Sequence, residues 1–360
     1  MTPTVAVIGG GYGGISVAAQ LDAAADVVLV DPRDAFVHST ASLRSLADPA
    51  WIDRIFLPYD RLLRRGRVVR DRAERVDPRG AVLASGERID ADYTVLATGS
   101  GYPFPAKFAE HDSARAKARI GAAHRELAQA HSVLLLGAGA VGLELAGEIK
   151  AAWPRTAVTV VEPGHDILSG AFPDEFRKEV RRQLEALGIE LLLDTALAAE
   201  PATEPAHREP FTAATRDGAL LGADIWFRCY GVSVESDYLA PELAAARGAR
   251  GRIAVTPELR VPGQERVFAI GDLAETASET QTAATAHAHA DTTAANIRAM
   301  IAGDPPKPHP PRPAGIALPL GPDGGAAYRP DLGLLDAETT AGIKGGHMKL
   351  DTYRDLLNLS

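Results

Sequence analysis

Six glycines carry the clearest chemistry in this 360-residue sequence. Gly9, Gly11 and Gly14 follow the apolar run Val5-Ala-Val-Ile8, and Gly137, Gly139 and Gly142 follow Val133-Leu-Leu-Leu136. A glycine-rich turn between a strand and a helix lets a pyrophosphate approach the backbone, where free N–H groups and the helix dipole favour negative charge. Each turn has an acidic partner at the end of the next apolar run: Asp31 after Val27-Val-Leu-Val30, and Glu162 after Val158-Thr-Val-Val161. A carboxylate placed there takes the hydroxyls of a ribose. One βαβ unit therefore occurs twice, 128 positions apart from Gly9 to Gly137. Two dinucleotide sites in one chain point to a bound flavin, FAD, and a transient nicotinamide cofactor.

Two further strand ends say which site is which. Tyr93-Thr-Val-Leu-Ala-Thr-Gly99 ends in Ala-Thr-Gly, and Val267-Phe-Ala-Ile-Gly-Asp272 ends in Gly-Asp. In these features the chain resembles the two-dinucleotide-binding flavoprotein reductases. The resemblance implies FAD in the first unit and the segment around 253–302, with Val76, Thr98, Gly99, Gly271 and Asp272 binding the cofactor. Asp272 would hold the ribityl chain. It places the nicotinamide cofactor in the second unit, where Glu162 would repel a 2′-phosphate, so NADH is expected before NADPH.

A finer similarity is to the apoptosis-inducing-factor-like branch that contains ferroptosis suppressor protein, related to the type-II NADH dehydrogenases. It is carried by Asp34-Ala-Phe-Val-His-Ser-Thr-Ala-Ser-Leu-Arg44, by Ala97-Thr-Gly-Ser-Gly-Tyr-Pro-Phe-Pro-Ala-Lys-Phe108 and by Gly147-Glu-Ile-Lys-Ala-Ala-Trp-Pro154. The paired glutamines of the type-II dehydrogenases are not evident, and the matching stretch reads Ala286-His-Ala-His-Ala290. By resemblance, the reaction is NAD(P)H oxidation through FAD followed by reduction of a quinone-type acceptor. Lys107 would supply a cation near the flavin, His38 and Arg44 would lie on a loop running towards it, and His289 would face the acceptor side. His287 and His289, two positions apart on a predicted helix, face different directions and make no metal site. Alternatives are a reductase of a ferredoxin-like carrier, a small-molecule tailoring oxidoreductase, and a flavin- and NADH-binding signalling protein.

The elements that must position these residues follow from the alternation of β-branched runs with helical stretches. The expected fold is α/β: two Rossmann-like dinucleotide-binding domains plus a short C-terminal α+β piece. Residues 1–106 and 253–302 would form the FAD domain and 107–252 the NAD(P)H domain. The proline-rich stretch 303–315 reads as a linker, and 316–360 as an acceptor-side segment with short strands near Ile316 and Ala326 and a helix near Lys349 to Leu357. That helix has an apolar side, which packing onto the FAD domain explains as well as membrane contact does.

Composition narrows the partners. A net charge of −9 argues against a nucleic-acid surface. No run of 18 apolar residues spans a membrane. Residues 303–360 hold six Lys or Arg against seven Asp or Glu, so no basic patch supports more than peripheral membrane contact. The N-terminus shows no secretion signal, and a cytoplasmic location is expected. The partner is then a small electron acceptor, and a homodimer is compatible with this reading. Cys229 is the single cysteine, which excludes a disulfide framework and the paired-cysteine relay of the disulfide reductases.

Overall fold

The computed structural model describes residues 2–170, 172–276 and 279–360. Thr4–Ile8 is the central strand of a five-stranded sheet, flanked by Tyr93–Leu96 and Asp26–Val30, with Val267–Ala269 and Arg67–Val69 outside them. Every neighbouring pair is parallel. Burial on both faces explains why four of these strands read as apolar runs, whereas the edge strand Arg67–Val69 is exposed to half-buried. The register sets Ile8 beside both Val30 and Leu96. The residues that follow, Gly9, Asp31 and Ala97, therefore emerge together at the carboxyl edge, where open α/β sheets form their crevice.

A four-stranded parallel sheet repeats the plan, in the order Ile189–Leu192, Ala157–Val161, Ser132–Leu136, Ile225–Arg228. The repeat extends to single hydrogen bonds. Gly9 N–H donates to Val30 and Ala97 N–H to Ile8, each at 2.8 Å; Gly137 N–H donates to Val161 and Cys229 N–H to Leu136, also at 2.8 Å. Cys229 thus occupies the place of Ala97. Gly9 and Gly137 turn the chain at φ +106° and +112°, in the region that favours glycine. The third glycine of each motif serves packing. A Cβ on Gly14 would lie 1.8 Å from the Gly9 carbonyl oxygen, and one on Gly142 would lie 2.0 Å from that of Gly137.

The long helix Ala283–Ala302 runs against the first glycine-turn helix, Tyr12–Leu21, burying Ala290, Ala294 and Ile297. Small side chains on that face let the two backbones approach. The helix ends at Gly303, in the left-handed conformation.

The C-terminal piece is a three-stranded antiparallel sheet, Ile316–Leu320, Gly324–Arg329 and Gly333–Leu335, followed by helix Leu350–Leu356. It seats on helix Ala140–Ala152 so closely that a Cβ on Gly147 would stand 2.5 Å from Leu320 Cα. The terminal helix turns Leu350 and Tyr353 inward, and Leu357 and Met348 beside it are buried. Among the described residues no helix is long and apolar enough to cross a membrane.

One expectation needs correcting. The stretch 303–315 has no helix or strand beyond the helix terminus, as proline density requires, yet it is no free linker. Asn296 accepts from Lys307 N–H at 2.8 Å and donates to the Lys307 carbonyl at 2.9 Å, and His309 N–H donates to Pro257 at 2.7 Å. Six of the thirteen residues here are proline and offer no N–H, and the N–H groups that alternate with them at 307, 309 and 312 are bonded. The segment is a strap held in fixed register.

Candidate active site

At the carboxyl edge of the first sheet opens a cavity of about 2320 Å³. Its floor is the Gly9 turn. Asp31 shapes that turn by accepting from Gly10 N–H at 2.6 Å and Arg33 N–H at 2.8 Å, while Tyr59 Oη donates to the Gly10 carbonyl at 2.9 Å. The second turn is held the same way: Glu162 accepts from Ala138 N–H and Gly164 N–H, both at 2.8 Å. A Cβ at Gly11, Gly99 or Gly139 would meet nothing within 4 Å. Bare backbone at these three points faces open space, a cradle that side chains would fill. The residues present therefore fit a dinucleotide at each turn.

Thr98, Gly99, Gly271 and Asp272 line the cavity. Between them lies a small network. Ser100 Oγ donates to Asp272 Oδ2 at 2.5 Å, and Lys107 Nζ donates to the Ser100 carbonyl at 2.6 Å and hydroxyl at 2.8 Å. Lys107 Nζ stands 3.6 Å from Asp272 Oδ2. Burial lowers the Lys107 pKa below the ordinary lysine value, against the opposing pull of Asp272. The side chain is held in the cavity wall by this network.

Four expected site residues lie elsewhere. His38 is 0% exposed, with Nε2 2.7 Å from the Met348 carbonyl and Nδ1 3.1 Å from Tyr12 Oη, so it joins the FAD domain to the C-terminal piece. Burial pushes its pKa down to about 4. Arg44 is buried in an ion pair with Glu148 and donates to the Gly345 carbonyl at 2.9 Å. Val76 sits in the core with its N–H given to Tyr238 and its carbonyl taken by Ala240, each at 2.8 Å; Arg72, Ala73 and Glu74 line the cavity instead. His289 is buried beneath the Gly271 turn and does not line the cavity, onto which His287 opens in its place.

Other residues line the site that the sequence did not assign to it. Lys344 donates to Glu144 Oε1 at 2.6 Å, and both open onto the cavity. Burial raises the Glu144 pKa, and Lys344 opposes that shift. An aromatic group closes the same side: the His287 and Tyr353 rings stack at 5.5 Å, with His287 Nε2 3.2 Å from Tyr353 Oη, and Tyr12 packs edge-on against Tyr353 at 5.0 Å. Below the Gly271 turn, Glu279 meets His289 and His309 in a buried triad whose donor atoms lie within 4.8 Å of one another. Spacing could not reveal it, because the three residues come from a loop, a helix and the strap.

The chain matches the pyridine nucleotide-disulphide oxidoreductase family over residues 3–290 and belongs to it. It is an FAD-dependent NAD(P)H oxidoreductase of that class, and its one cysteine separates it from the disulphide chemistry in the family's name. Among known proteins it is similar to apoptosis-inducing factor homolog B of Dictyostelium discoideum, 29% identical over 376 residues, covering 98% of this chain and 96% of the relative. Ferroptosis suppressor protein 1 of Homo sapiens is 30% identical over 304 residues, covering 81% of this chain and 79% of the relative. The solved sulfide:quinone oxidoreductase of Aquifex aeolicus shares the fold, with a TM-score of 0.75 at 19% identity, covering 99% of this chain and 92% of that one.

Proposed function

We propose that this chain takes hydride from NADH at the Gly137 turn onto FAD held at the Gly9 turn, and passes two electrons to a small quinone-type acceptor admitted from the C-terminal side. One observation carries the reading: a single cavity collects the Gly9 turn, the Asp272 turn with Lys107, and Lys344 and Tyr353 from the C-terminal piece. FAD supplies, when bound, the ring that accepts a hydride and gives up electrons in pairs.

The chain's own part is to bind, orient and balance charge. Bare backbone at Gly11 and Gly99 receives the cofactor, and Asp31 keeps the turn in shape for it. Lys107 sets a cation beside Asp272, where it offsets negative charge gathered on reduction. Glu162 presents a carboxylate at the edge of the second turn, disfavouring a 2′-phosphate. The acceptor side is walled by His287 and Tyr353, whose flat rings suit a planar aromatic guest.

An anaerobic titration with NADH followed by menadione tests this. Bleaching of the flavin absorption and its return on adding menadione are expected. Bleaching without return removes the quinone acceptor, and no bleaching with FAD bound overturns the reading. NADH should give a higher kcat/KM than NADPH; an equal or higher value for NADPH removes that preference.

A further inference from the structure

We infer that Glu279 positions two parts of the cavity against each other, holding the flavin-binding turn at Gly271 on one side and the cavity wall at Arg312 on the other. The link to the cavity wall at Arg312 bears on acceptor binding only through the proposed reaction; the link to Gly271 concerns FAD binding alone.

The direction of each hydrogen bond is fixed by a backbone amide. Gly271 N–H can only donate, and it points at His289 Nδ1 at 3.1 Å. His289 must then carry its proton on Nε2, which donates to Glu279 Oε2 at 2.8 Å. An Nδ1 that accepts from Gly271 carries no proton, so this ring is neutral, and burial, which lowers the His289 pKa, acts in the same direction. On the other oxygen, Arg312 N–H donates to Oε1 at 3.0 Å, and His309 Nε2 lies 3.2 Å away. His309 Nδ1 meets Thr292 Oγ1 at 2.8 Å. The three side chains are 1%, 2% and 5% exposed for His289, Glu279 and His309, so water does not replace these partners. Gly271 and Arg312 both line the cavity, and the two lie on separate segments with Glu279 between them.

The same directions argue against a divalent cation in this triad. Ligation through His289 Nε2 would move the ring proton to Nδ1, against Gly271 N–H. They also make glutamine a poor substitute for glutamate. An amide has one accepting oxygen, so its NH2 must face either His289 Nε2–H, fixed by Gly271, or Arg312 N–H, fixed by the backbone. Only His309 can reverse, by passing its proton to Nδ1 with Thr292 as acceptor.

The test uses the full-length holoprotein. Glu279→Gln is expected to raise the FAD dissociation constant about tenfold or more and to raise KM for menadione, with KM for NADH unchanged. Adding Arg312→Pro, which removes the one irreversible donor on the Oε1 side, should bring FAD affinity back to that of Arg312→Pro alone. Unchanged FAD affinity in Glu279→Gln, a double variant no better than Glu279→Gln, or a stoichiometric metal in the wild type that Glu279→Gln loses would each overturn the inference. Should Glu279→Gln not fold, Arg312→Pro against Arg312→Ala isolates the single N–H: weaker FAD binding in the proline variant is expected, and equal affinity overturns it. A failed menadione reaction with FAD binding altered as described would count against the proposed acceptor and not against the role of Glu279.

Discussion

Lys107 and His38 both stood out by type and neighbourhood, and the fold uses them oppositely. Lys107 reaches the cavity because Ser100 and Asp272 offer it three oxygens; His38 is sealed because Met348 and Tyr12 occupy both of its ring nitrogens. Lys107→Ala is expected to slow flavin reduction or reoxidation about tenfold with FAD still bound, and stopped-flow absorbance measures both half-reactions. For His38 the expectation concerns stability. Its folded pKa, about 4, lies below the ordinary imidazole value. The unfolded chain therefore binds a proton that the native state refuses as pH falls from about 6.5 to 4. The native state loses up to about 3 kcal/mol relative to the unfolded chain across that window, and nothing from this group at higher pH. Denaturant melts of wild type and His38→Asn between pH 4 and 7 should show a flatter curve for the variant.

At the scale of elements, the paired glycine turns were legible because each rests on a local repeat: apolar run, glycines, helix, apolar run, acid. Periodicity carries such units plainly. The corrections fall where a contact joins distant segments. Arg44 meets Glu148 and Gly345, and the strap meets Asn296, Pro257 and Glu279. Proline density revealed the absence of regular structure in the strap and nothing about its partners. The seat of the C-terminal sheet was equally silent, since it depends on the absence of a side chain at Gly147. Gly147→Ala should force the helix and sheet apart, costing about 1–3 kcal/mol of overpacking, and lower the melting temperature. A melting temperature equal to wild type would show that the sheet shifts freely.

Across the whole molecule, the C-terminal piece is fastened to both dinucleotide domains by polar contacts: Lys344 to Glu144, Gly345 to Arg44, and Met348 to His38. It therefore forms a wall of the cavity and not an appendage. The family fold was readable from sequence at this scale, whereas the acceptor side was not, because its residues come from segments brought together only by these fastenings. The one thiol has a bearing on how the assembly can be observed. Cys229 lies buried at a strand end, and burial raises its pKa to about 12, leaving it without a reactive thiolate. To an alkylating reagent the folded chain behaves as though it had no cysteine. A single cysteine introduced at Val232, 56% exposed near the rim, would then be the only position to take a maleimide dye. Mass spectrometry of the native protein should show no adduct, and the way is open to fluorescence reporting of cofactor entry without first removing a natural residue.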